Sequence, residues 1–191
     1  MKKVAIAFVL IFGLSAFNCR NKQAGSGNPE SVNYLKIGDS LIKTGIKDSN
    51  IVTYVKTKGQ FKKVEHSAWP DDVDETYNLI SNNIVKVYIQ IPYSESGDWN
   101  NEYTYYYDKE NNLRVLKMYS GFFNNMCSDI AKETKIIYYN KKHDVDSSSY
   151  TLVDENGKPI KDTSKCQFPY RDKEILYVSY KDVPLIKAIA K

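Results

Sequence analysis

The sequence predicts a strand-dominated α+β protein: a curved antiparallel sheet with one or two helices. Apolar and polar residues alternate over 84–91, which would place Val85, Val87 and Ile89 on one face of a strand. Turn-forming segments such as TKG, DKENN and ENG separate neighbouring candidate strands, and short connections imply antiparallel pairing. Tyrosine, which favours strands, occurs 16 times. A two-sheet β-sandwich is the alternative architecture.

The length of the chain predicts a single domain, and its charge argues against nucleic-acid binding. The chain has 191 residues, which suits one β-rich domain over residues 32–191 after a terminal extension. Removing Lys2 and Lys3 from the 27 basic residues leaves 25 against 23 acidic ones, a balance of +2. No predicted helix concentrates the basic residues, so we do not expect a nucleic-acid partner.

Residues 1–18 have the features of an export signal. Lys2 and Lys3 precede an apolar stretch over 4–14, which has the length of a signal-peptide core and is shorter than a membrane span. An ordinary signal peptidase could use Gly13 and Ser15 as its small residues, which would leave Ala16 as the new terminus.

The segment LSAFNC, residues 14–19, resembles the lipobox of bacterial lipoproteins, although that box usually has Leu and a small residue where this chain has Ala16 and Asn18. The resemblance implies a diacylglyceryl group on Cys19 and cleavage just before it. Residues 19–31 would then be a flexible tether to a lipid bilayer. The expected location is the cell envelope, with the outer membrane favoured over the inner one and the domain facing the periplasm or the surface.

The remaining elements follow from local patterns. Over 72–83, Asp72 and Glu75 form a capping-box pattern, and Val73, Tyr77 and Ile80 share a helical face, which predicts a helix. Alternation and turn signals predict the other elements: a short helix or docking segment over 31–43, strands over 51–56 and 60–66, a strand over 84–91, a hairpin over 102–119, a strand over 134–140, a hairpin over 148–161, a strand over 174–180 and a helical turn over 185–191.

The two downstream cysteines, Cys127 and Cys166, are predicted to form a disulfide. In an exported chain with Cys19 lipidated, two thiols remain in an oxidising compartment. Two free buried thiols are one alternative, and a catalytic pair of Cys127 with His143 is another.

The sequence offers little catalytic or metal-binding chemistry. His66 and His143 are its only histidines and lie 77 positions apart, so a zinc site would lack ligands. Asp144 and Asp146 have a DxD spacing, but the glycine and distant glutamate of a helix–loop–helix calcium loop do not accompany them. We therefore predict no metal, no cofactor and no catalytic residue.

An aromatic run is the candidate ligand-binding feature. Its members are Trp99, Tyr103, Tyr105, Tyr106 and Tyr107. Because successive residues of a strand point to opposite faces, both faces would be aromatic, and one could contact a partner. The alternative is that the tyrosines pack the sheet.

These features predict a lipid-anchored binding or structural module with a protein or glycan partner. An inhibitor or immunity-type protein that blocks an enzyme through the loop Tyr93–Asn101 is the alternative, and an enzyme is the third possibility.

Overall fold

A computed structural model of the chain describes residues 29–45, 51–65, 70–167 and 175–190. The predicted leader, Cys19, most of the predicted tether and His66 lie outside these residues. The described elements are α1 Pro29–Gly45, β1 Ile51–Thr57, β2 Gln60–Val64, β3 Glu75–Ser81, β4 Val85–Pro92, β5 Trp99–Asp108, β6 Leu113–Asn125, β7 Ser128–Tyr139, β8 Val145–Val153, a 3-10 turn Tyr180–Asp182 and α2 Pro184–Ile189.

The eight strands form one antiparallel sheet in the order β2-β1-β3-β4-β5-β6-β7-β8. Every neighbouring pair is antiparallel, which confirms the predicted fold class. Over the described residues the strands form a single sheet, so the sandwich alternative is not the architecture observed there. Helix α1 packs on one face, which we call the α1 face, and residues 175–190 pack on the other, the C-terminal face.

Helix α1 crosses the α1 face near one end of the strands. Its side chains join a buried cluster with Val87, Tyr106, Val115 and Tyr138. Gly38 permits this close approach, because a Cβ atom there would lie 2.6 Å from the Tyr138 ring. The Tyr138 hydroxyl also donates a hydrogen bond of 2.9 Å to Asp39.

A buried ion pair between Arg114 and Asp108 lies beneath α1 and supports its contact with the sheet. Nε of Arg114 lies 2.7 Å from Oδ2 of Asp108, and Nη1 of Arg114 donates to the carbonyl of Asn140. The ring of Tyr34 in α1 covers the guanidinium group, whose centre lies 5.7 Å from the ring centroid. Arg114 therefore has an ion pair, a backbone hydrogen bond and a covering ring. These contacts compensate the buried charge for the loss of water.

The C-terminal face holds an aromatic core. The ring of Tyr177 packs against Tyr88 and Tyr105 with centroids 6.1 and 5.5 Å apart. The hydroxyls of Tyr105 and Tyr107 donate to the backbone carbonyls of Ile175 and Tyr177. The tyrosines thus bury their rings while hydroxyl groups fasten the C-terminal segment to the sheet.

Three turns share one local design. In each, the side chain of an Asp or Asn accepts hydrogen bonds from the backbone N–H groups two and four residues later. The residue three positions later has a positive φ. The turns begin at Asp108, Asn140 and Asp154, and their positive-φ residues are Asn111, His143 and Gly157.

The predicted helix over 72–83 is wrong, because residues 75–81 form β3. This strand pairs with both β1 and β4, so it occupies an interior position in the sheet. Glu75 does not cap a helix; its carboxylate accepts hydrogen bonds from Lys56 at 3.2 Å and Gln90 at 2.7 Å, and from the Tyr77 hydroxyl. Pairing on both sides outweighs the local helical pattern.

Two predicted strand segments are also wrong. Residues 175–180 form no strand, apart from a bridge between Ser179 and Asn112, because they lie across the C-terminal face instead of extending an edge. The return strand of the hairpin over 148–161 is reduced to a bridge between Val153 and Pro159, where proline has no N–H group to donate. Of the two possibilities predicted for 31–43, a short helix or a docking segment, the structure has the helix, α1, which begins within the predicted tether.

Candidate functional site

The two described cysteines are joined. The Sγ atoms of Cys127 and Cys166 form a disulfide, so the predicted bridge is confirmed. It links the tip of the β6–β7 hairpin to the segment that follows β8. Asn125 reinforces the link, since its side chain donates to the carbonyl of Gln167. Cys127 has no free thiol and therefore cannot serve as a nucleophile with His143.

Three of the predicted ligand-binding tyrosines are buried in the two cores. Tyr105, Tyr106 and Tyr107 are each exposed by 3% or less. Tyr105 and Tyr107 pack beneath the C-terminal segment, whereas Tyr106 packs beneath α1. The expectation that one face of this strand stays open is therefore wrong at these three positions, because each face has its own covering layer.

The other two predicted residues lie nearer the start of β5. Trp99 and Tyr103 are half-buried on the C-terminal face. Asn101 lies between them and is buried, with no hydrogen-bond partner for its Oδ1 atom among the described residues. The predicted protruding loop Tyr93–Asn101 is shorter than expected, because β5 begins at Trp99 and a Ser94–Gly97 turn closes the rest.

A different surface remains open: the part of the α1 face that α1 does not cover. We call it the open face and define it by Tyr93, Asn100, Glu102, Tyr119, Gly121 and Phe123. The strand register aligns Asn100 with Gly121 and Glu102 with Tyr119 on β5 and β6. Tyr93 follows β4, and its backbone N–H continues the β3–β4 ladder by donating to Asp74. Tyr93 is 60% exposed and Phe123 is 48% exposed.

Gly121 forms the floor of the open face. A Cβ atom built on Gly121 would collide with Oδ1 of Asn100 and would lie 3.3 Å from the hydroxyl oxygen of Tyr119. The missing side chain lets Asn100 pack directly over the buried glycine, so its amide oxygen and the Tyr119 hydroxyl converge above Gly121. Phe123 is held beside this point, because its backbone N–H donates to the carbonyl of Asp98 at 2.8 Å.

Glu102 contributes a carboxylate to the open face, and Lys132 lies opposite Gly121 on the same side of the sheet. Its Oε1 atom accepts a hydrogen bond of 2.8 Å from Thr104. Burial raises the pKa of Tyr119, and the neighbouring charge of Glu102 raises it further. Burial followed by the same charge raises the pKa of Tyr106 to about 12. The Tyr119 hydroxyl therefore keeps its proton at neutral pH and can donate a hydrogen bond.

The open face holds few ionisable groups. Glu102 is the only carboxylate among its defining residues. Across the described residues, no group of three or more His, Cys, Asp or Glu side chains could hold a metal ion. No helix within the described part of the chain is long and apolar enough to cross a membrane.

The sequence carried only a weak signal for this surface. Asn100 and Glu102 lie within the aromatic run but on the opposite parity from Trp99 and Tyr103, so an argument based on aromatic side chains passes over them. Gly121 lies two residues beyond the predicted hairpin over 102–119, so no predicted strand includes it.

Comparisons with known proteins found no similar protein, so the fold and the open face are interpreted from this chain alone. The chain matches no protein-family profile, no curated protein sequence and no solved structure.

Proposed function

We propose that the chain is an exported bacterial lipoprotein, held in the cell envelope by acyl chains on Cys19, whose domain acts as a binding module. The observation that carries the proposal is the Cys127–Cys166 disulfide. Such bridges persist in oxidising compartments outside the cytosol, so the bridge supports export. It also takes up two of the three cysteines, which leaves Cys19 as the remaining thiol.

The position of α1 is compatible with this arrangement. Pro29, where α1 begins, lies ten positions after Cys19. An extended segment of that length reaches about 35 Å. The domain could therefore stand clear of the bilayer surface. The proposed location is the outer membrane in preference to the inner one. The open face would meet the binding partner.

Metabolic labelling of the full chain in a bacterial host tests the anchor. With an alkyne analogue of palmitate, the wild-type protein should be labelled and should fractionate with membranes. Cys19→Ala should abolish the label, because it removes the acylated sulfur. The matched control is the double variant Cys127→Ala/Cys166→Ala, which removes two other sulfurs and should keep the label. An unlabelled wild-type protein, or a labelled Cys19→Ala variant, would refute the anchor.

A further inference from the structure

We propose that the open face is a glycan-binding site for a neutral oligosaccharide segment. This inference rests on the proposed binding role of the domain but not on the lipid anchor. Two exposed rings, Tyr93 and Phe123, frame a floor that carries an amide, a phenol and a carboxylate. Sugars present apolar C–H faces alternating with hydroxyl groups that both donate and accept hydrogen bonds, so aromatic rings and mixed polar groups recognise them together.

The polar centre of the open face offers both kinds of hydrogen-bonding group. Tyr119 keeps its proton and can donate, as its raised pKa indicates. Glu102 uses Oε1 for Thr104, which leaves Oε2 available to accept. The exposed Asn100 amide can do both. A ligand hydroxyl bound to the exposed Asn100 amide would also lie near the Tyr119 hydroxyl, because the two side chains converge above Gly121.

The dimensions suit a short saccharide. Tyr93 continues β4 and Phe123 belongs to β6, so their backbones are two strand spacings, or about 10 Å, apart across the sheet, with Phe123 two residues beyond Gly121 along β6. Two linked sugar rings have about this length. Gly121 itself is buried beneath the Asn100 side chain, so a ligand between the two aromatic rings would contact that exposed amide.

The same layout disfavours a protein partner. Protein interfaces place apolar anchors at the centre and polar groups at the rim. On the open face the order is reversed: the exposed rings of Tyr93 and Phe123 flank a centre formed by Asn100, Glu102 and the Tyr119 hydroxyl. A ligand with its own hydroxyl groups can satisfy that centre, whereas an apolar anchor would desolvate the Glu102 carboxylate and leave its Oε2 atom without a donor.

Calorimetric titration of the full chain, purified from membranes in detergent, tests the assignment. The probes are the hexasaccharides of β1,4-linked N-acetylglucosamine, β1,4-linked glucose and β1,4-linked mannose, with heparin as a polyanionic comparison. We expect at least one neutral hexasaccharide to bind with a Kd of about 1 mM or tighter. Tyr93→Ala and Phe123→Ala should each weaken that binding about tenfold or more. Gly121→Val should abolish it, because the new side chain would displace the Asn100 amide.

Two controls separate binding from folding. Tyr150→Ala removes a ring that is 47% exposed on the C-terminal face, and it should leave binding unchanged. Tyr93→Ala should keep a melting temperature close to that of the wild type, because its ring is mostly in solvent. The proposal is overturned if no neutral hexasaccharide binds, if heparin alone binds, or if Tyr93→Ala and Phe123→Ala bind as tightly as the wild type. A labelled protein that fails to bind these probes would leave the lipid anchor standing.

Discussion

At the scale of single residues, hairpin turns show how side chains direct the backbone. Asn140 accepts hydrogen bonds from the N–H groups of Lys142 and Asp144, which closes the turn between β7 and β8. This turn requires a left-handed backbone conformation at His143, whose φ is 64°. The equivalent position after Asp154 is Gly157, for which a φ of 78° is unstrained.

Replacing His143 by glycine should stabilise the protein. The left-handed conformation costs a residue with a Cβ roughly 1–2 kcal/mol, whereas the added freedom of glycine in the unfolded chain costs about 0.5–1 kcal/mol. The buried Nε2 atom of His143 also has no hydrogen-bond partner among the described residues. We expect the free energy of unfolding in urea to rise by about 0.5–1 kcal/mol.

Gly157→Ala is the matched control, because it introduces the same strain that His143→Gly removes. Its free energy of unfolding should fall by about 1 kcal/mol. A His143→Gly variant that is less stable than the wild type would contradict the strain at this turn.

At the scale of elements, sequence patterns predicted the positions of strands and turns better than they predicted which strands pair with each other. Alternation identified β4, and DKENN identified the turn between β5 and β6. The same reasoning failed at β3, because Val73, Tyr77 and Ile80 fit a helix while Tyr77 and Leu79 fit a strand equally well. Pairing of β3 with β1 and β4 decides between them, and that pairing is not local in sequence.

Helix α1 provides a prediction at this scale. Gly38→Ala raises helix propensity by about 1 kcal/mol. The added methyl group would nevertheless press into the Tyr138 ring and into Val115, at 2.6 and 2.8 Å. Overpacking costs typically 1–3 kcal/mol, so we expect a net loss of about 1 kcal/mol in the free energy of unfolding.

The control for this variant lies on the same helix. Ser40 is exposed, and Ser40→Ala should leave stability unchanged or raise it slightly. If Gly38→Ala proves as stable as Ser40→Ala, then α1 does not dock on Tyr138 in the way described.

At the scale of the whole molecule, the sheet lies between two covering layers, α1 on one face and residues 175–190 on the other. Tyrosine side chains of the sheet pack against both layers. The sequence indicated a sheet rich in tyrosine, but it could not indicate that residues 175–180 cover Tyr105 and Tyr107. The alternation of Ile175, Tyr177 and Ser179 is the same whether the segment joins an edge or packs on a face. The open face escaped prediction for the related reason that its residues come together only through the register of β5 and β6.

Tyrosine burial in both layers should make the protein sensitive to alkali. Burial, together with the hydrogen bond to Asp39, raises the pKa of Tyr138 to about 12, and burial and Glu102 raise that of Tyr106 to the same value. In the unfolded chain both hydroxyls should ionise near pH 10. Between about pH 10 and 12 the unfolded state therefore loses protons that the folded state retains, so stability is complete below pH 10 and falls as the pH rises.

The variant Tyr106→Phe tests this directly, because it removes one buried hydroxyl and keeps the ring. Between pH 10 and 12, each such tyrosine steepens the loss of unfolding free energy by up to about 1.4 kcal/mol per pH unit. Urea denaturation at several pH values should therefore give a shallower decline for Tyr106→Phe than for the wild type. Tyr93→Phe, which alters a solvent-exposed ring, should follow the wild-type curve. Equal slopes for Tyr106→Phe and the wild type would mean that Tyr106 is not buried beneath α1.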